Sequence, residues 1–384
     1  MSKKKGLSAI LMGFLGFVVG FVACFGVVNY VTLPETESVV AGEIYYSKGG
    51  TQTNESIDIE SADISIHFLE LGNKYTGDCT YIKAGDTDIL IDCGSKSNSV
   101  ETVSNYLNQY VTDNILEYVI VTHAHQDHYA GFATSAKIDG IFDLYECKTI
   151  IDFAGVTNGK KDTTMYKNYQ RELSAEIEAG AEHYTALDCV NENKIFTLAE
   201  GITMKILDSQ YYSTPDTTNE NNNSVCTLIT QKVGEKEKNF LFTGDLEAEG
   251  ETYLAQNDNL SHVDLYKAGH HGSKTSSNKD FLEVIQPKTI CVCCCAGSSE
   301  YTTVANNQFP TQEFIDRVSV YTSEIYVTTM CVDYKNDEFT SFNGNIVYMS
   351  QGSNYNVKCS NNNIWLKDSE WFKANRTLPQ NAVS

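Results

Sequence analysis

"EYVIVTHAHQDHYAGF", Glu117–Phe132, sets three of the chain's eight histidines and an aspartate within six positions, His123 to His128. The segment before them, Glu117–Thr122, is apolar and β-branched, the composition of a buried strand. His123 and His125 are two residues apart, so an extended backbone points both the same way. Asp127 and His128 follow where a helix begins. One turn therefore offers two ligand pairs to two adjacent cations. Imidazole and carboxylate suit Zn²⁺, Mn²⁺ or Fe²⁺. Two such ions about 4 Å apart can share a hydroxide as nucleophile at neutral pH. A solvated loop with coincidental histidines explains a lone histidine, but not this spacing at the end of an apolar strand.

Working outward, the same placement recurs. "DILIDCG" (Asp88–Gly94) carries Asp92 at its end, "NFLFTGD" (Asn239–Asp245) carries Asp245, and "HVDLYKAGHHGSKTSS" (His262–Ser277) ends in His270 and His271. If these strands belong to packed sheets, their ends gather at one rim. Asp245 is then a candidate bridge between cations, and a histidine of "GHHGS" completes the second site. Asp127 and Asp245 are the catalytic candidates. His67, His183 and His262 read as ordinary core or surface residues, and Tyr129 as packing.

Further strands are expected at "ISIHFLEL" (Ile64–Leu71), "CTYIKA" (Cys79–Ala84), "KIFTL", "ITMKIL" and "CTLITQ". Helices are expected where Val100, Val103, Leu107 and Val111 share a face, over Thr164–Ala179, and after Pro310 with Thr311 as N-cap. Twelve cysteines are present. The run "CVCCC", Cys291–Cys295, has small apolar side chains on both faces, as in a buried central strand. No pair is spaced as a zinc ribbon requires.

The N-terminus differs from the rest. Lys3, Lys4 and Lys5 precede an uncharged run, Gly6–Val31, longer than the roughly 20 residues that span a bilayer. The basic cluster predicts a cytoplasmic stub (1–5), an uncleaved transmembrane anchor (6–31) and everything else outside. Lipidation at Cys24 is a rival that Phe21 fits poorly. Residues 32–61 read as a tether, 62–358 as the main domain and 359–384 as a tail. The chain of 384 residues is 41% hydrophobic with a formal charge of −22. That excludes a disordered chain and argues against a broad phosphate-binding surface.

"THAHQDHYAG" resembles the metal-binding signature of metallo-β-lactamase-fold hydrolases. From about Ala62 to Lys358 the chain is similar to the extracellular hydrolase domain of ComEC-type competence proteins. The matching pieces are "HFLELG", "GDCTYIKAGDTDILIDCGS", "VIVTHAHQDHYAGF", "NNNSVCTLIT", "NFLFTGD" and "DLYKAGHHGSKTSS". The resemblance implies a mixed α/β fold, a four-layer αββα sandwich, with the site on one rim and up to two divalent metals, zinc or manganese. It implies that His123 and His125 hold the first metal. Asp127, His128 and His270, the last preferred to His271, would hold the second, with Asp245 bridging. Asp92 would orient a ligand imidazole, and Ser273 and Lys274 would meet an anionic substrate. Two departures stand out. "NENNNSVC" lacks the further first-metal histidine of many such enzymes, which predicts a weak first site that favours manganese. "NQFP", Asn307–Pro310, puts Phe309 where relatives carry Gly-His-Pro.

The expected function is a membrane-anchored extracellular phosphodiesterase or nuclease using a metal-bound hydroxide. Its partners would be an anionic phosphodiester, single-stranded DNA or a cell-wall polymer, and the membrane through the N-terminal helix. The alternatives are a teichoic-acid or phosphocholine phosphodiesterase and a non-catalytic surface binding module.

Overall fold

Phe240, Leu241 and Phe242 are all buried, yet neighbours in this run pack into different cores. Side chains alternate across a strand, so a strand apolar on both faces is covered on both. Phe240 meets Tyr348 edge to face at 5.7 Å, and Phe242 lies 6.4 Å from Phe68 (ring centroids), both from a second sheet. Leu241 faces the other way, with Leu254, Phe281 and Ile315 of three helices.

The computed structural model describes residues 57–134 and 138–383, with the backbone of two strands, Glu37–Val40 and Glu43–Tyr46. The anchor 6–31 and Cys24 lie outside the described residues. Among the described residues no helix is long and apolar enough to cross a membrane. The two short strands pair antiparallel inside the segment read as a tether, and Tyr46 pairs with Cys359. Their β-branched and aromatic content favours strand.

The remainder is mixed α/β with two sheets. In the first, Ile64–Phe68, Thr80–Ala84 and Thr87–Ile91 pair antiparallel, and Thr87–Ile91, Ile115–Ile120, Glu146–Asp152 and Glu182–Thr185 run parallel. In the second, Lys236–Phe242, Leu265–Lys267, Thr289–Ala296 and Glu324–Asp333 are parallel. Parallel neighbours end at the same edge, which is why Asp92, His123, Asp245 and His270 come to one rim.

Thr289–Ala296 is buried at every position, as "CVCCC" predicts. Cys291 and Cys293 face the core between the sheets; Val292 and Cys294 face the helices. The eleven described cysteines are free thiols and ten are buried.

Helices form where expected. Ser99–Leu107 buries Val103 and Leu107, and Val111 is buried just beyond its end. Thr164–Ala179 starts at Thr163, whose hydroxyl accepts from Tyr166 N at 3.2 Å, and stops at Gly180 in the left-handed region. Thr311 caps Gln312–Val318 in the same way. The C-terminal segment docks: Leu366, Phe372 and Arg376 are buried, and Arg376 donates to the Pro310 and Gln308 carbonyls.

Candidate metal centre

The turn His123–His128 is held by backbone from two other strand ends. His128 N donates to His125 O at 3.0 Å and opens the short helix Gln126–Tyr129. Asp78 N donates to Asp127 O at 2.9 Å, Cys93 N to His128 O at 2.7 Å, and Gly131 N to Cys93 O at 2.7 Å. Gly94 lies so close beneath the turn that a Cβ there would collide with the Asp127 carbonyl. Asp92, at φ 60°, turns its carboxylate back under the histidines. It accepts from Thr122 N at 2.8 Å and lies 2.7 Å from His128 Nδ1.

Asp78, His128, Asp245 and His271 are buried and bring one ligand atom each within 4.8 Å of one another. His128 Nε2 is 3.1 Å from Asp245 Oδ2, and His271 Nε2 is 3.4 Å from it. His271 Nε2 is also 3.5 Å from Asp127 Oδ2. These are close approaches without hydrogen-bond geometry: His128 Nε2, His271 Nε2 and Asp245 Oδ1 have no hydrogen-bond partner among the described residues. Buried polar atoms are normally paired, so orphans converging on one point mark a missing partner. Three carboxylates and several imidazoles are a donor set that fits a divalent cation.

The charges agree. Burial pushes the Asp245 carboxyl up, but His128, His271 and His270 overcome this and hold it well below the usual range. Burial opposes a proton on His128, yet Asp245 and Asp92 push it up to about 10. Without a cation, His128 and His271 hold protons that balance the carboxylates. A divalent ion would take over that role.

His123 and His125 lie beside this cluster. His123 Nε2 is 3.0 Å from His125 Nδ1 and 3.9 Å from Asp245 Oδ2. Burial, then nearby Lys160, lowers His125 to about 4, leaving a neutral imidazole able to ligate.

Of the two adjacent histidines, His271 and not the preferred His270 lies in the buried cluster. His270 and His271 both take positive φ. The chain therefore turns over between them, and His271 points inward, its Nδ1 2.9 Å from the Cys293 carbonyl oxygen. His270 stands at the rim, 3.9 Å from Asp245, with Nδ1 2.9 Å from Thr275 Oγ1. Ser273 is buried within its own loop, 3.1 Å from Thr275 Oγ1, and Lys274 is exposed. Neither lines the cleft above the histidines. That cleft, about 280 Å³, is lined instead by His125, Gln126, Asp127, Asp245, His270 and His271, with Lys96, Lys160, Asn221, Glu300 and Tyr301 around them. Phe309 packs its ring against both histidines of the pair, at 5.8 and 5.9 Å.

Sequence reasoning missed Asp78 and Lys267. The tripeptide Thr-Gly-Asp occurs twice, at 76–78 and 243–245, and only the second copy follows an apolar strand. Lys267 is buried and ion-paired with Asp78. Nothing in its strand's apolar pattern marks it. His67 is a satisfied core residue, bonded to Tyr106 Oη at 2.7 Å and Ser65 Oγ at 2.8 Å.

Residues 72–141 match the profile of the Metallo-beta-lactamase superfamily. ComE operon protein 3 of Bacillus subtilis is 28% identical over 178 residues, 45% of this chain and 19% of that protein. Recombination protein 2 of Haemophilus influenzae is 24% identical over 213 residues, 55% of this chain and 22% of that protein. The matches thus span about a fifth of the length of these curated relatives. Among solved structures, metallo-beta-lactamase SMB-1 bound to 2-mercaptoethanesulfonate aligns with a TM-score of 0.33 at 15% identity. That alignment covers 53% of this chain and 76% of that one. The superfamily match contains the whole histidine turn: over residues 72–141 the chain is similar to the domain of the metallo-β-lactamase superfamily.

Proposed function

We propose that this hydrolase cleaves phosphodiesters. The observation that carries the reading is the cleft itself. In a chain of net charge −22, two lysines, Lys96 and Lys160, line the same small opening as the ligand histidines. With bound cations offsetting Asp127 and Asp245, which share this opening, the two ammonium groups would help to focus an anion there. Lys96 lies over the Tyr75 ring at 4.4 Å, a cation–π contact that favours this placement of its ammonium.

Asp127, His128, His271, Asp78 and Asp245 would hold one cation, and His123, His125 and Asp245 the other. Bound divalent ions supply an acidified water as nucleophile and offset charge developing on phosphorus oxygens. The protein's own residues do the rest. Asp92 keeps a proton on His128 Nδ1, so that Nε2 presents its lone pair to the cluster. Lys96 and Lys160 bind and orient the anionic substrate. Phe309 and Tyr301, with ring centroids 5.6 Å apart, wall one side and limit water entry.

The substrate reading extends to single-stranded DNA, and the location to the outer face of a membrane. Lys3–Lys5 and the uncharged run Gly6–Val31 support an anchor with its N-terminus inside. Protease added to intact cells should then digest the domain; protection until lysis reverses the orientation. Turnover of single-stranded DNA against a phosphocholine-bearing wall polymer separates nuclease from wall phosphodiesterase. Binding without turnover of either identifies a binding module and contradicts the proposal.

A further inference from the structure

The cation held by His123 and His125 lacks a third imidazole, because the segment that faces it reads "NENNNSVC". The structure shows what stands there instead. Glu220–Asn223 forms a 3-10 turn with all four residues buried. Backbone and side chains on both sides of this turn are fastened to the ligand strands. Glu220 accepts from Ala124 N at 3.3 Å and from Thr157 N at 2.7 Å. Ser224 Oγ accepts from Asp245 N at 3.0 Å and lies 3.3 Å from His123 Nδ1. Val225 N donates to Thr122 O at 2.9 Å. The turn is thus fixed against His123, His125 and Asp245.

Its polar side chains divide the work. Both Glu220 oxygens are engaged by backbone N–H groups. Asn222 donates to Asp216 Oδ2 at 2.9 Å, and Asn223 exchanges two bonds with the Asp216 backbone, so both hold the preceding loop. Asn221 differs. Its Nδ2 donates to Glu247 Oε1 at 3.1 Å. A carboxylate of this kind only accepts, so that bond fixes which end of the amide is nitrogen. The amide oxygen is left buried with no partner among the described residues, on a residue only 7% exposed. Asn221 also lines the cleft beside His125 and Asp245.

We propose that the Asn221 amide oxygen is a ligand of the cation held by His123 and His125, in the place of an imidazole. An amide oxygen is a harder donor than imidazole nitrogen and shifts the preference of that site from zinc toward manganese. The Glu247 bond does for Asn221 what a carboxylate does for a ligand histidine: it orients the donor atom. The proposal rests on the metal-centre reading above, and its test distinguishes the two.

The test is metal binding by the metal-stripped full-length chain, with Mn²⁺ followed by electron paramagnetic resonance and Zn²⁺ by competition with a chelating dye. Wild type is expected to bind two Mn²⁺ per chain, one more weakly. N221L should weaken that second Mn²⁺ at least tenfold and leave the tighter one in place. N221H, whose ring can keep one nitrogen on Glu247 and offer the other, should tighten Zn²⁺ at the weak site at least tenfold relative to Mn²⁺. N221L and N221H with wild-type affinities at both sites overturn the proposal while leaving the metal centre standing. A wild-type chain that takes up neither ion contradicts the metal centre and the proposal together. If N221L fails to fold, N221H decides alone: zinc affinity unchanged from wild type overturns it.

Discussion

His128 and Asp92 are sealed from solvent and joined at 2.7 Å, Nδ1 to Oδ2. The bond fixes the tautomer that leaves Nε2 facing Asp245. Asp92 takes positive φ to make it, a backbone cost that a non-glycine residue accepts rarely and often at functional sites.

Removing this orienting carboxylate should damage metal binding more than folding. D92N is expected to lower affinity for the cation on His128 about 10- to 100-fold. Calorimetric titration of the metal-stripped protein checks it, with circular dichroism to show that the fold persists. Unchanged affinity would mean that Asp92 serves only the backbone of Thr122.

Lys267 and Asp78 are both buried and ion-paired, and Asp78 is itself one of the four clustered residues. Breaking one half of a buried pair leaves an uncompensated charge and costs about 3–5 kcal/mol. K267M should therefore unfold at lower denaturant without metal, and recover part of the loss when a divalent cation is added. Equal losses with and without metal would place the pair outside the metal site's influence.

Lys96 and Lys160 should act on substrate binding. A hydrogen bond to a charged group is worth about 1.5–3 kcal/mol, so K96A and K160A should each raise KM for a phosphodiester about tenfold or more. Both should flatten the salt dependence of kcat/KM. The metal content should stay that of wild type.

The HHGS loop rests on a buried acid. Glu251 accepts from Ser277 N at 2.6 Å and Asn278 N at 2.8 Å. Burial, only partly offset by these bonds, raises its carboxyl to about 7. A carboxyl raised on folding adds stability that is full below its unfolded pKa near 4.5 and is lost as pH rises through about 7. Substituting glutamine removes that titration. The stability of E251Q relative to wild type should therefore improve from pH 4.5 to pH 8, as read from urea unfolding across that range. A constant difference would mean that Glu251 titrates normally.

The strands and the rim were legible because apolar runs ended in chemically unusual residues: Asp92, His123 and Asp245 each interrupt such a run. Asp78 was not, because it precedes its strand in a loop, and only the fold brings that loop under His271. Which of His270 and His271 points inward was not legible, for a local reason. Counting from the strand assumes extended backbone, whereas both residues are left-handed and the order of inward and outward side chains reverses. The same turn carries Ser273 and Lys274 away from the cleft lining, while Lys96 and Lys160 sit on loops whose sequences carry no pattern. The asparagines of "NENNNSVC" were visible only as a missing histidine. Their separate tasks depend on Asp216 and Glu247, which no spacing rule connects to them.

The central claim is that the histidine turn is a metal centre that hydrolyses phosphodiesters. The most direct measurement is cleavage of single-stranded DNA by metal-stripped protein before and after Mn²⁺ is restored, with metal content determined on the same samples and on H125A and D245A. The account predicts no cleavage when stripped, recovery with Mn²⁺, and loss of both cleavage and bound metal in each variant. Full cleavage by the stripped protein, or by either variant at wild-type metal content, would contradict it.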